Sequence, residues 1–110
     1  MYSLDININY DIQDTEGNTP LAISLKHRNL NQAALLIKKG VKYGYVYDQG
    51  HRYSYFAYAS KLSAAICFLL LDHGYPLQKA LEEVRNEAFK RVLTKKYGWL
   101  NNFILYEYMI

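Results

Sequence analysis

The stretch Asp14-Thr15-Glu16-Gly17-Asn18-Thr19-Pro20-Leu21 opens a helix by local chemistry alone, and the fold reads outward from it. Gly17 and Asn18 suit a turn. Thr19 can cap through its hydroxyl, and Pro20 at the first helical position lacks an amide hydrogen that would have no partner there. Leu21 begins an apolar face continued by Ile23 and Leu25, which predicts a helix over 20–27. Arg28-Asn29 interrupts it, since asparagine tolerates the left-handed conformation of a tight interhelical turn. A second helix is predicted over 30–39, almost continuously apolar through Ala33-Ala34-Leu35-Leu36-Ile37. Lys38 and Lys39 complement its dipole in the last turn, and Gly40 is suited to stop it. Helices this short need neighbours to be stable.

A neighbour follows. After a connector over 41–51, Tyr55-Phe56-Ala57-Tyr58-Ala59 and then the apolar run from Ser63 to Leu71 repeat the short-helix, apolar-helix order and end at Gly74, 34 positions after Gly40. Periods of about 20–50 residues mark stacked repeats. A third apolar series, Ala80, Leu81, Val84, Ala88, Phe89, Val92 and Leu93, has helical spacing. Carboxylates early and cations late favour one helix to about Lys96 over two helices broken near Arg85-Asn86. Before the opening stretch, Ile6, Ile8, Tyr10 and Ile12 alternate with polar residues, which predicts an extended segment over 1–13 with one buried face.

Composition bounds the rest. With 110 residues, 51% hydrophobic and 21% charged, the chain is at most one domain with a modest core. A net charge of +3, spread along the chain, is not the clustered basic face that nucleic acid requires. A single cysteine, Cys67, excludes an internal disulfide and fits a reducing compartment. The start lacks the basic and apolar regions of a secretory signal, and the longest apolar run, 62–71, is shorter than the ~20 residues of a membrane span. These features read as an intracellular, cytoplasmic protein with no transmembrane segment.

Gly17-Asn18-Thr19-Pro20-Leu21, with the closes Leu36-Ile37-Lys38-Lys39-Gly40-Val41 and Leu69-Leu70-Leu71-Asp72-His73-Gly74, resembles the ankyrin repeat, a turn followed by two antiparallel helices. The match departs from the family's pattern at Ala22, where the family has histidine, at Arg28 and Leu62 in place of the interhelical glycine, and at Tyr53-Ser54-Tyr55 in the Thr-Pro-Leu slot. The resemblance implies an all-α, ankyrin-type helix-turn-helix solenoid with short β-hairpin-like fingers. It implies a repeat domain over 1–98, with units at about 14–41 and 48–75 and a cap at 76–97, then an apolar tail over 99–110.

The tyrosines concentrate the functional expectation. Six of the twelve, Tyr43, Tyr45, Tyr47, Tyr53, Tyr55 and Tyr58, fall within 43–58. Tyr43, Tyr45 and Tyr47 at period two would share a face of an extended segment, and tyrosine combines contact area, low rotamer entropy and a polar tip at interfaces. The same rings could instead pack on neighbouring fingers; for Tyr55 and Tyr58 packing in the core is the favoured reading. In the ankyrin family the fingers and inner helices line the binding face. The expectation is therefore a non-catalytic protein–protein interaction module, contacting another protein through Lys26, Tyr43, Tyr45, Tyr47, Arg52 and Tyr53. The alternative is a structural subunit of a large assembly, docked through Trp99, Phe103, Ile104, Leu105, Tyr106 and Tyr108.

Chemistry has few footholds. His27, His51 and His73 include no pair at i, i+4 and no His-Glu-x-x-His motif, and no Gly-rich phosphate loop occurs. Cys67 sits among apolar neighbours, where a thiolate is disfavoured. Lys90, Arg91, Lys95 and Lys96 beside Tyr97 and Trp99 could form a small basic–aromatic patch, but such clusters at helix ends commonly complement the dipole. No cofactor, metal or catalytic residue is expected.

Overall fold

The computed structural model describes residues 10–109, with side chains to residue 98. In chain order the elements are α1 (Pro20–Lys26), α2 (Leu30–Lys38), β1 (Tyr45–Asp48), β2 (His51–Ser54), α3 (Tyr55–Ser60), α4 (Ala64–Asp72), α5 (Leu77–Glu83) and α6 (Glu87–Met109). The chain forms two compact units, Met1–Tyr75 and Pro76–Ile110.

The first unit is two helix pairs with a hairpin between them. Thr19 caps α1 by accepting from the Ala22 N–H, with Pro20 in the first turn, as its sequence predicts. The second pair repeats this start with a different residue: Ser54 accepts from the Ala57 N–H at 3.0 Å and caps α3. The capping hydroxyls are 35 positions apart, while the closing glycines Gly40 and Gly74 are 34 apart. The extra connector residue is absorbed because α3 is one residue shorter than α1. Both glycines take positive φ, 81° and 101°, and end α2 and α4. α1 packs on α2, α3 on α4, and the pairs meet through α1 with α3 and α2 with α4. Leu21, Ala22, Leu25, Leu36, Phe56 and Leu70 are fully buried in this core.

Four sequence expectations need correction. The fold is mixed α/β, not all-α: β1 and β2 form a genuine two-stranded antiparallel ladder, with Tyr45 opposite Ser54, Val46 opposite Tyr53, Tyr47 opposite Arg52 and Asp48 opposite His51. The ladder closes because Gln49 and Gly50 both adopt positive φ, 51° and 79°, the conformation whose twist matches paired strands. Val46, fully buried between its exposed and half-buried neighbours, anchors one face.

The α1–α2 turn is made differently from the expectation. Arg28, not Asn29, is left-handed (φ 57°), and Asn29 instead caps α2 by accepting from the Gln32 N–H at 3.2 Å. The series over 80–96 is two helices rather than one. Val84 is extended (φ −97°, ψ 131°), and Asn86 accepts from the Phe89 N–H at 3.1 Å, starting α6 anew. Asparagine satisfies a helix start better than it tolerates a helix interior, and here that local preference outweighs the favourable charge order. In this second unit α5 packs on α6, and Ala80, Val84 and Leu93 are buried.

The extended segment over 1–13 lies mostly outside the described residues, including Ile6 and Ile8. Within them Tyr10 and Asp11 form a turn and Ile12 is 63% exposed, so no buried face continues to Ile12. No helix among the described residues is long and apolar enough to cross a membrane.

Candidate functional site

The hairpin is braced at two places: Asn18 bonds the backbone of β1, and Tyr58 bonds the Asp48 side chain beside the turn. Asp14 begins the support: its Oδ1 accepts from the N–H groups of Glu16 and Asn18, both at 2.9 Å, and fixes the turn. These bonds, led by that from Asn18, hold the Asp14 carboxyl below its ordinary pKa, with the Lys26 ammonium assisting and desolvation opposing. The turn aims Asn18 at β1. Its Oδ1 accepts from the Tyr47 N–H at 2.8 Å, and its Nδ2 donates to the Tyr47 C=O at 3.0 Å. The Tyr47 ring then lies over Gly17, where an added Cβ would stand 3.3 Å from the ring. Lys26 pairs with Glu16 across 3.7 Å on the same turn.

Alternation along the strands divides the expected site residues between two faces. Tyr45, Tyr47 and Arg52 share one. There the Arg52 guanidinium lies 4.4 Å from the centroid of the exposed Tyr45 ring, a cation–π pair. Tyr53 lies on the other face, with the Lys61 ammonium 4.4 Å above its ring and Tyr58 edge-on at 5.5 Å. Tyr43 is not part of this arrangement. It precedes β1, its hydroxyl donates to the His73 C=O at 2.9 Å, and its ring meets the edge of Tyr75 at 4.9 Å. The period-two trio of tyrosines is thus a pair on the hairpin plus one residue that ties the connector to the end of α4.

Tyr55 is buried as its place in a helix suggested, and its hydroxyl bonds that of Thr19. Tyr58 is not a core residue. It is half-buried and donates to Asp48 Oδ2 at 2.9 Å, joining α3 to the hairpin end. Burial holds the Tyr58 hydroxyl above its ordinary pKa, and Asp48 adds to the rise while the Arg28 guanidinium opposes it. Asn18, Asp48, Tyr58 and Lys61 therefore belong to the site although the sequence reading did not place them there. Asp48 and Tyr58 are ten positions apart, and Asn18 and Tyr47 twenty-nine, beyond the reach of any local pattern.

The candidate chemical groups fall elsewhere. Cys67 is buried, its thiol faces the Phe56 C=O at 4.0 Å, and desolvation pushes its pKa up to about 12. His27 and His73 occupy the C-caps of α1 and α4, and His51 is exposed at the start of β2. Among the described residues no three His, Cys, Asp or Glu groups converge as metal ligands would. In the second unit Lys90 reaches Glu87 at 3.4 Å and Lys96 lies 5.5 Å from the Tyr97 centroid. Thus what the hairpin can do chemically is present aromatic surface, cations and backbone hydrogen-bonding groups on a braced support. Comparison of the chain with protein-family models, curated proteins and solved structures finds no match.

Proposed function

We propose that this chain is a non-catalytic protein-binding module whose contact surface is the hairpin with the adjoining ends of α1 and α3. The observation that carries the reading is the pair of cation–aromatic contacts, Arg52 on Tyr45 and Lys61 on Tyr53, one on each face of the hairpin. Arginine and tyrosine are, with tryptophan, the side chains enriched among residues that carry binding energy at interfaces, and here their geometry is set before any partner arrives. Bracing by Asn18 and Tyr58 lowers the ordering cost of association. Lys26, Tyr45, Tyr47, Arg52 and Tyr53 are the proposed contacts, with Lys61 added; Tyr43 serves the support. The proposed kinship is with ankyrin-type repeats. Its support is the paired hydroxyl caps, Thr19 and Ser54, and the two glycine closes 34 positions apart. A reducing intracellular compartment suits the single buried thiol.

Lysine-directed crosslinking in cells, read by mass spectrometry, tests the surface. Crosslinks to another protein from Lys26 and Lys61, lost in the double variant Tyr45→Ala/Tyr53→Ala, are expected. Crosslinks confined to Lys95 and Lys96 would instead favour docking through the C-terminal segment, the reading suited to an assembly subunit. One observation keeps that second reading in view: α6 runs 23 residues to Met109, through the aromatic-rich sequence. Deleting residues 99–110 abolishes incorporation in that case and leaves binding intact in the first.

A further inference from the structure

We infer that the outer edge of β2 is a strand-addition site for an extended acidic segment of another protein. The inference rests on the hairpin being the binding surface and names the chemistry of what it binds.

The register establishes the free edge. Both backbone groups of Tyr47 are taken by the Asn18 carboxamide, so they point away from β2. In an antiparallel ladder, directly opposed residues either exchange both bonds with each other or turn both outward. Arg52 is opposite Tyr47, so its N–H and C=O point away from β1. No backbone group among the described residues meets them there. The hairpin is therefore asymmetric. On the β1 side a carboxamide imitates one residue of a neighbouring strand and closes the edge. On the β2 side the corresponding donor and acceptor meet no backbone group among the described residues, and an unpaired edge templates a further strand.

The side chains specify the occupant. An added strand alternates its side chains between the hairpin's two faces. On one face they meet the exposed Arg52 guanidinium over Tyr45; on the other they meet the exposed Lys61 ammonium over Tyr53. Neither cation has a carboxylate partner among the described residues. Consecutive acidic residues in the incoming segment would each meet a cation, whichever face they take. The same charges disfavour a second copy of this chain, since edge-to-edge pairing about Arg52 would bring like guanidinium groups together. The edge is short, bounded by the turn at Gly50 and by α3 beginning at Tyr55, so it admits one reciprocal pair of backbone bonds and a weak, readily reversed complex.

The full chain, labelled with nitrogen-15, is titrated with a capped eight-residue peptide of threonine and valine carrying two adjacent central glutamates. Amide shifts centred on Arg52, with at least tenfold slower hydrogen exchange of the Arg52 N–H, are expected. Replacing the glutamates by lysines, or N-methylating the peptide's central amides, weakens binding at least tenfold. Arg52→Pro, which deletes the outward donor, does the same; the methylated peptide keeps the test valid if that variant does not fold. Equal binding of the methylated peptide, or of the lysine peptide, overturns the inference. So does an absence of shifts at Arg52 up to millimolar glutamate peptide, or self-association of the chain that Arg52→Pro removes. Partner crosslinks from Lys26 and Lys61 with no response at Arg52 would leave the hairpin as the binding surface while removing strand addition.

Discussion

The carboxamide of Asn18 occupies both backbone hydrogen-bonding groups of Tyr47, 29 positions away, accepting at 2.8 Å and donating at 3.0 Å. One buried side chain thus joins the first turn to the hairpin and sets which way the hairpin's unpaired groups face.

Asn18→Ala should therefore cost about 2–6 kcal/mol, since two backbone groups lose partners at ~1–3 kcal/mol each. Asn18→Asp should cost at least as much, because at this buried position a carboxylate accepts from the Tyr47 N–H but sets its second oxygen against the Tyr47 carbonyl. Urea unfolding of the three proteins checks the order; equal midpoints for the parent chain and the Asn18→Ala variant would show the bonds carry no net stability.

The register makes a contrast between adjacent residues. Proline at 52 removes an outward N–H and leaves the ladder whole, whereas proline at 53 removes an N–H paired with Val46. Tyr53→Pro should be less stable than Arg52→Pro by about 1–3 kcal/mol. Thermal unfolding that ranks them the other way would mean the inward and outward residues have been exchanged.

Acid should loosen the first turn. Asp14 has a folded pKa below the ordinary 3.8, chiefly because its carboxylate accepts from the Asn18 N–H. A depressed folded pKa contributes stability that is complete above the unfolded value and fades as pH falls through the folded one. The stability difference between the parent chain and Asp14→Ala should be constant above about pH 4 and shrink below it. A difference that persists unchanged at pH 2 would count against the turn bonds as its source.

Gly40 ends α2 at φ 81°, with no atom within 4 Å of the position an added Cβ would take. Gly40→Val should then destabilise by about 1–3 kcal/mol through backbone strain alone. Gly40→Asn should cost much less, since asparagine visits this region. Calorimetry on both variants separates strain from crowding, which would penalise both.

Cys67 should be inert in the folded chain. With its thiol pKa raised to about 12, thiolate is scarce at neutral pH, and the side chain is fully buried. Alkylation by iodoacetamide should wait on unfolding and accelerate sharply in denaturant. Rapid labelling of native protein at pH 7 would contradict the packing of α4 on α3.

How much of this was legible in the sequence depended on range. Thr19-Pro20 starts a helix through groups two or three residues away, and Gly40 and Gly74 end helices through their own backbone freedom, so each signal was readable in place. Arg28 and Asn29 show where local reading weakened. Both residue types fit the turn, and only the need for Asn29 to cap α2 assigned the left-handed position to Arg28. Asn86 is similar, since its cap competed with a charge pattern that favoured continuity.

By itself, then, the sequence determined the α1 start at Thr19-Pro20 and the helix stops at Gly40 and Gly74, because capping and φ preferences act over a few bonds. Only the tertiary structure decided the rest of the site. It drew Tyr43 away to the carbonyl of His73, split Tyr47 and Arg52 from Tyr53 by strand alternation, and brought Tyr58 onto Asp48. It also placed Asn18 so that the β1 edge of the hairpin is closed, while no backbone group among the described residues meets the β2 edge at Arg52. Those relationships join residues that are neighbours only once the helix pairs have packed, and a tyrosine in an extended run carries no mark of which face it will take.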